Sequence, residues 1–402
     1  MWKTAKLDDV LKIQTGNSIP AKEKVALYTN VADGLPYVAT KDVGFDAVIN
    51  YENGIRIPPE FSSKFRISKA YSTLICAEGG SAGRKIAFSQ KDCHFVNKLF
   101  SLHPSKELIP KFIYYYALSS EFQDQFKQSM HGLIGGVSIS KIKNFHISFP
   151  SLTEQQLIVA KLDTTFAEVN DSISITKNKL KESHSIFIQH LNNILSKTKN
   201  TWKIEKLSDL SKKITDGKHG DCRNELNSGY YFLSAKDIKN EKLNYENARE
   251  INKEDFIETH RRTNLEPNGI LITNSGTIGR MAIVPADERT KKTTFQKSVA
   301  IVKPKNNKIL SSFLFFALRN KVKEIQNISQ GTAQKNLLLR DIREFIIKYP
   351  KSIEEQKLIS DNLSKINKNC TKLSEVYIMK IKQLHFLKSN ILNKYCKAKQ
   401  YE

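Results

Sequence analysis

The sequence predicts an α/β protein written as a tandem repeat: two compact α/β domains separated by two long helices packed as an antiparallel coiled coil, with approximate two-fold symmetry. Three observations predict it. Residues recur in one order at an offset that stays between 195 (Gly34 to Gly229) and 201 (Glu154 to Glu355). Each copy opens with short β-branched and aromatic runs broken by turn residues. Each closes with a stretch free of glycine and proline whose apolar residues fall three or four apart.

The repeat is legible from end to end. Trp2, Leu7 and Val10 return as Trp202, Leu207 and Leu210, and Gly16 returns one place late as Gly217. Gly34, Tyr37 and Lys41-Asp42-Val43 are echoed by Gly229, Phe232 and Lys236-Asp237-Ile238. Gly80-Ser81-Ala82-Gly83-Arg84 matches Gly276-Thr277-Ile278-Gly279-Arg280, and Phe95, Pro104 and Tyr116-Ala117-Leu118 match Phe295, Pro304 and Phe316-Ala317-Leu318. Ile142, Ile147, Pro150 and Glu154-Gln155 then correspond to Ile342, Ile347, Pro350 and Glu355-Gln356. Single matches arise by chance; this many in one order indicate duplication.

The elements follow in chain order. Residues 1–150 form one α/β domain, with strands expected at Leu35 to Thr40, Ser72 to Ala77, Lys98 to Leu102 and Phe145 to Phe149 and a helix at Pro110 to Gln128. Residues 151–199 form the first long helix, with Ser151 as candidate N-cap and Glu154 in its first turn, where the helix dipole favours an acid. Its stripe is Ile158, Leu162, Phe166, Val169, Ile173, Leu180, Phe187, Leu191 and Ile194, with Thr176 and Ser183 filling two positions. Residues 200–350 repeat the domain, with strands at Gly269 to Thr273, Met281 to Val284 and Ser298 to Val302. Residues 351–402 form the second helix, capped by Ser352, with the stripe Ile359, Leu363, Ile366, Cys370, Leu373, Tyr377, Leu384, Leu387 and Ile391. Each helix is expected to run about 40 residues, or roughly 60 Å. A seam of that length needs a partner, and the other copy's helix, running back, supplies one.

Composition narrows the function classes. The 402 residues carry 64 Lys and Arg against 41 Asp and Glu, a net charge of +23, with 40% hydrophobic residues to fill cores. Two readings fit the charge: lysine decoration of the surface, or a polyanionic partner whose phosphates release counterions on binding. No apolar stretch approaches the ~20 residues that cross a bilayer, and the start lacks the apolar core of a signal peptide, so the expected compartment is the cytoplasm. The five cysteines form no C-x-x-C pair and are expected to be reduced.

The sequence completes none of the common catalytic signatures. Gly79 to Lys85 has the wrong spacing for a nucleotide-binding loop, and the second copy has Met281 where the lysine is needed. No H-E-x-x-H, G-x-S-x-G, dinucleotide G-x-G-x-x-G or methyltransferase N-P-P-[YF] motif occurs. His219 near Asp216 and Asp221 is conceivable as a metal site, but the first copy has no matching histidine, and a solvated turn or DNA contact fits better.

The repeated Gly-[ST]-x-Gly-Arg loop has two compatible readings. One is a tight turn between strands. The other adds backbone N–H groups near phosphate oxygens, a hydroxyl donor from Ser81 or Thr277, and Arg84 or Arg280 on phosphate or guanine, with Ser275 and Lys85 beside them. Lys41 and Lys236 belong either to a solvated turn or to the same face. Arg56, Arg66 and Lys69 are particular to the first copy, and Lys218, Arg223, Arg261, Arg262, Lys291 and Lys292 to the second. Asn97 with Lys98, and Asn274 with Gln296, are candidate base-edge contacts. On the helix faces opposite the seam, Gln155, Lys161, Lys177, Lys181, Gln356 and Lys365 are either solvated or a docking surface.

These motifs together resemble the specificity subunit of type I restriction–modification systems, over essentially the whole chain. The resemblance rests on Trp-x4-Leu opening each half, Asp216-Gly217-x-His219, the Lys-Asp-[VI] step and Asn274 to Arg280. It extends through Gly331-Thr332 with Leu338, Asp341-Ile342, Phe345 and Pro350, to Pro150-x3-Glu154-Gln155 and Pro350-x4-Glu355-Gln356 at the helix starts. The first copy departs from it: it lacks Asp-Gly-x-His, carries Glu78-Gly79-Gly80 for Asn274-Ser275-Gly276, and has Gly132-Leu133 for Gly331-Thr332. The resemblance implies a non-catalytic subunit with two target recognition domains, each reading half of a bipartite target in double-stranded DNA. It implies helices that set the spacing and dock two methyltransferase subunits, with restriction/translocase subunits as further partners. S-adenosylmethionine, ATP and Mg are then expected on the partners and no cofactor on this chain. The alternatives are the recognition subunit of a type IIB-like combined restriction and methylation enzyme, or a helical scaffold that does not bind DNA.

Overall fold

The computed structural model describes residues 2–130, 135–196, 201–328 and 337–396, without the side chains of 184 and 323–328. The chain forms two compact units, one of Met1–Lys177 with Met379–Glu402 and one of Asn178–Ile378. Each therefore holds one α/β domain and a portion of both long helices.

In the first unit the period-2 segments pair as an antiparallel sheet in the order Leu11–Thr15, Leu99–Pro104, Thr73–Cys76, Ile86–Phe88. A second sheet runs Arg56–Ile57, Leu35–Val38, Cys93–Phe95, Ile67–Ser68, with Leu35–Val38 parallel to Cys93–Phe95. Lys3–Lys6 pairs antiparallel with His146–Phe149, tying the domain's start to the strand that precedes the helix. The second unit repeats the plan: Ser211–Asp216, Val299–Pro304, Ile270–Thr273, Met281–Ile283 in one sheet, and Arg249–Glu250, Tyr231–Leu233, Thr293–Phe295 in the other. Trp202–Lys206 pairs with Ile346–Pro350.

The one-place shift of the first glycine is absorbed as a register shift between Ser211 and Lys213, where the first copy's strand pairs without a break, and both glycines reach the same crossing. A Cβ on Gly16 would sit 1.7 Å from the Phe95 carbonyl oxygen, and one on Gly217 would sit 1.9 Å from that of Phe295. The chain crosses the neighbouring strand backbone at both places, and only glycine fits. The expected helix Pro110 to Gln128 is two helices, Pro110–Leu118 and Ser120–Gln128. Ser119, extended at φ −71° and ψ 158°, breaks it and donates its hydroxyl to the Tyr116 carbonyl at 2.7 Å.

The long helices span Leu152–Ser196 and Ile353–Cys396. In the first unit Ile158, Leu162 and Phe166 share a core with Leu392 and Cys396, while Lys388 donates to Asn170 at 2.9 Å, so the segments run antiparallel. In the second unit Phe187 and Leu191 share a core with Leu363, and the Ser183 and Ser374 hydroxyls meet at 2.9 Å, again in reversed order. Thr176 and Ser183 are buried as expected. The second stripe is corrected: Leu373 and Leu387 are 39% and 46% exposed, and Ser374, Leu392 and Cys396 are buried instead. A helix of 3.6 residues per turn drifts off a strict 3.5 seam, which moves the inward position by one.

Each helix is rooted in its own domain by matched contacts. The Trp2 indole N–H donates to Glu154 at 3.4 Å, and Trp202 to Glu355 at 3.3 Å. Gln155 donates to the Pro150 and Glu107 carbonyls and accepts from the Ile109 amide, all within 3.0 Å. Gln356 does the same with Pro350, Lys308 and Leu310. Both glutamines are fully buried. This corrects their assignment to an exposed docking face: a buried amide must find partners, and here it pins a helix to its domain. Lys161, Lys177, Lys181 and Lys365 are exposed.

Candidate nucleic-acid interface

In each unit the glycine loop is the turn between two strands of the four-stranded sheet. In the first, the Gly83 amide donates to the Cys76 carbonyl at 2.9 Å and the Arg84 amide to Ser81 at 3.0 Å. In the second, the Gly279 amide donates to the Thr273 carbonyl at 2.9 Å and the Arg280 amide to the Thr273 hydroxyl at 2.9 Å. Gly79, Gly83, Gly276 and Gly279 take positive φ, the conformation that demands glycine. Around Gly79, Gly80 and Gly276 no atom lies within 4 Å of a would-be Cβ, so the turn faces open space. Arg84 and Arg280 are exposed, and Ser81 and Thr277 stand on the same turns, Thr277 exposed and Ser81 half-buried.

The Lys-Asp step lies against this turn in both units. Asp42 is buried and accepts from the Ala39 amide at 2.9 Å and the Asn53 side chain at 2.7 Å. Asp237 is buried and accepts from the Ser234 amide at 2.8 Å and its hydroxyl at 2.7 Å. With its aspartate locked inward, each step leaves its lysine, Lys41 or Lys236, in solvent. Lys85 donates to the Thr40 carbonyl at 2.9 Å and Arg280 to the Ala235 carbonyl at 3.4 Å, joining turn to step. Lys98 pairs with Glu78 at 2.8 Å, and Asn97 is exposed next to it. The structure therefore gathers Lys41, Ser81, Arg84, Lys85, Asn97 and Lys98 into one neighbourhood.

Other candidates lie elsewhere or are engaged. Arg66 donates to the Thr15 carbonyl at 2.9 Å, and Lys69 pairs with Asp92 at 2.9 Å, lining a separate cavity with Lys12, Gln14 and His103. The Lys69 ammonium holds the Asp92 carboxyl below its ordinary value. Asn274 is corrected: it is buried, its backbone N–H donating to the Ser298 carbonyl at 3.0 Å and its side-chain oxygen enclosed with no partner among the described residues, so it is not displayed at the surface to a base edge. Ser275, half-buried, takes the outward place beside it. Lys218 is half-buried and bound to Glu258 at 3.1 Å. It forms a bridge with Gln296, which places Gln296 beside the Asp-Gly-x-His turn.

That turn is organised by Asp216, a role the sequence reading missed. Its buried carboxylate receives His219 Nε2 at 2.8 Å on one oxygen and the Arg262 guanidinium on the other, fixing two exposed side chains at once. Asp221 is turned away to Arg249 and the Cys222 amide, so it does not complete a triad with His219. Among the described residues no group of three His, Cys, Asp or Glu has the spacing to hold a metal ion. Arg223 is bound to Asp255 at 3.1 Å, holding that carboxyl below its ordinary value. Arg261 lines a basic cavity with Lys212, Lys213 and His260. Lys291 pairs with Glu288 at 2.7 Å, and Lys292 lies 5.9 Å from the Tyr230 ring. Gly132-Leu133 and Gly331-Thr332 lie outside the described residues. No helix among those residues is long and apolar enough to cross a membrane.

The chain is similar to known proteins. The model of a family described as the type I restriction modification DNA specificity domain matches residues 1–182 and again 199–383. Over 391 residues the chain is 23% identical to the type I restriction enzyme EcoBI specificity subunit of Escherichia coli, covering 88% of this chain and 77% of that one. A solved chain from work on complex assembly and conformational transition of the type I R-M system superposes with a TM-score of 0.76 at 16% identity, covering 99% of this chain and 98% of that one. The HsdS subunit from Thermoanaerobacter tengcongensis superposes at 0.51 and 16% identity, over 98% and 96% of the two chains.

Proposed function

The chain belongs to the type I restriction–modification DNA specificity family, and from that premise we propose that each of its units reads one half of a bipartite target in double-stranded DNA. One observation carries the proposal. Both units present an open glycine turn with an exposed arginine, braced against a Lys-Asp step whose aspartate is buried and whose lysine is free to solvent. The frame is the same and the surrounding side chains differ, as two readers of different base sequences require. Arg84, Lys41 and Lys85 in one unit, and Arg280 and Lys236 in the other, supply phosphate or guanine contacts; His219 and Arg262, aligned by Asp216, add a second contact group.

In this reading the long helices set the distance between half-sites, and Lys161, Lys177, Lys181 and Lys365 belong to the surface on which two methyltransferase subunits dock. The chain itself carries no catalytic group and binds no cofactor. S-adenosylmethionine, ATP and Mg belong to the methyltransferase and restriction/translocase subunits. The test is a complex reconstituted from this chain and its methyltransferase subunits. It should bind one split sequence in preference to scrambled duplex at ~150 mM salt, with steep salt dependence. Methylome sequencing with and without the gene names both halves. Equal binding to every duplex, or a methylome unchanged by deletion, refutes the proposal.

A further inference from the structure

Directly after Lys41-Asp42 the chain makes a small hairpin whose tip none of the motifs above includes. Val43 and Ile49 pair across it and are buried in the core, so its base is rigid. The Gly44 amide donates to the Val48 carbonyl at 2.8 Å, and Asp46 accepts from the Val48 amide at 3.2 Å, closing the tip. On that tip Phe45 and Val48 are 64% and 61% exposed, two apolar side chains presented together on one hydrogen-bonded loop. The Phe45 ring centre lies 5.2 Å from the Arg84 guanidinium carbon and 5.3 Å from the Lys85 ammonium. An apolar tip is thus fixed beside the two cations of the glycine turn.

The second unit builds a tighter hairpin at the same place and gives it opposite chemistry. Ile238–Lys239 pairs with Lys242–Leu243 directly after Lys236-Asp237. Its turn is Asn240 and Glu241, both at positive φ, and Lys239, Asn240 and Glu241 line one cavity with Arg280. Glu241 is held from behind by Arg319 and by the Asn367 amide at 2.9 Å. The hairpin therefore stands next to the glycine-turn arginine in both units, apolar in one and polar in the other. A scaffold feature kept in place while its exposed chemistry changes is where two readers would differ.

We propose that the tip formed by Phe45 and Val48 is a specificity determinant that packs against the 5-methyl group of a thymine in the half-site read by the first unit. The inference rests on the DNA-reading function proposed above. Arg84 and Lys85 lie over the ring, and its remaining exposed surface together with Val48 forms the apolar contact surface. The thymine methyl is the apolar group that base edges display in the major groove. Arg84, exposed beside the ring, is placed to meet the adjoining phosphate or base edge.

The full chain, reconstituted with its methyltransferase subunits, is titrated with a duplex carrying the methylated sequence recovered from cells. Parallel duplexes replace each thymine in turn by deoxyuridine, which lacks only the methyl. One replacement should weaken binding by wild type about three- to tenfold, and Phe45→Ala should weaken the parent duplex by a similar factor. In Phe45→Ala the same replacement should then cost nothing further, the signature of a shared contact. Phe45→Leu should keep the sensitivity. If wild type prefers its site but no replacement responds to Phe45→Ala, the hairpin's role is overturned. If wild type binds site and scrambled duplex alike, it is the DNA reading that fails.

Discussion

The cations of the first unit differ in how free they are, and that difference predicts the salt dependence of DNA binding. Lys98 is paired with Glu78 at 2.8 Å, and Lys69 with Asp92 at 2.9 Å. Lys41 and Arg84 are exposed and have no carboxylate partner among the described residues. A phosphate contact made by a free cation contributes about 0.9 to the slope of log K against log salt. Lys41→Ala with Arg84→Ala should flatten the slope by about 1.8. Between ~50 and ~200 mM salt each such contact accounts for about a 3.5-fold loss, so the double variant should forgo roughly twelvefold of the salt-induced weakening. The control is Glu78→Ala with Lys98→Ala, which removes a neutral pair and should change the slope by less than about 0.3. Fluorescence anisotropy over five salt concentrations, with the reconstituted complex on its cognate duplex, measures both. An unchanged slope in the first variant, or an equal flattening in the control, would falsify the assignment of Lys41 and Arg84 as phosphate contacts.

Three further outcomes follow from the fold. Gln155→Leu strands the Ile109 amide and two carbonyls, and Gln356→Leu strands the corresponding groups, so each should destabilise by about 1–3 kcal/mol per orphaned group in urea titrations; a loss below about 0.5 kcal/mol contradicts the anchoring role. Gly16→Ala and Gly217→Ala force a Cβ into a carbonyl at 1.7 and 1.9 Å and should cost more than about 3 kcal/mol or abolish soluble expression; ordinary melting curves would refute the crossing geometry. The carboxyls of Asp92 and Asp255 are held low by Lys69 and Arg223, so the stability they contribute is complete above the ordinary carboxylate range and is lost as pH falls through their depressed folded values. Asp92→Asn and Asp255→Asn should therefore narrow the stability difference between pH 7 and pH 3, measured by thermal melts; an unchanged difference would show that the pairs do not form in solution.

Sequence alone determined the architecture, because duplication and periodicity are written in the order of residues. Trp2 and Trp202, the paired glycine turns and the Glu-Gln steps mark the two copies whatever their fold, and apolar residues three or four apart specify helices before any partner is known. The glycine turns were legible for the same reason, since glycine spacing and local turn chemistry are short-range properties, whereas the Lys-Asp steps kept two readings until the burial of their aspartates was known. What the tertiary structure decided is which polar side chains are available. Asn274, Gln155 and Gln356 look like surface residues in one dimension and are buried in three, since burial depends on strands and carbonyls distant in the chain. Asp216 gathers His219 and Arg262 from 3 and 46 residues away, and Phe45 meets Arg84 only because the hairpin after one strand folds beside the turn after another. A side chain's charge is a property of its residue type; whether that charge faces solvent or a buried carboxylate is a property of the packing.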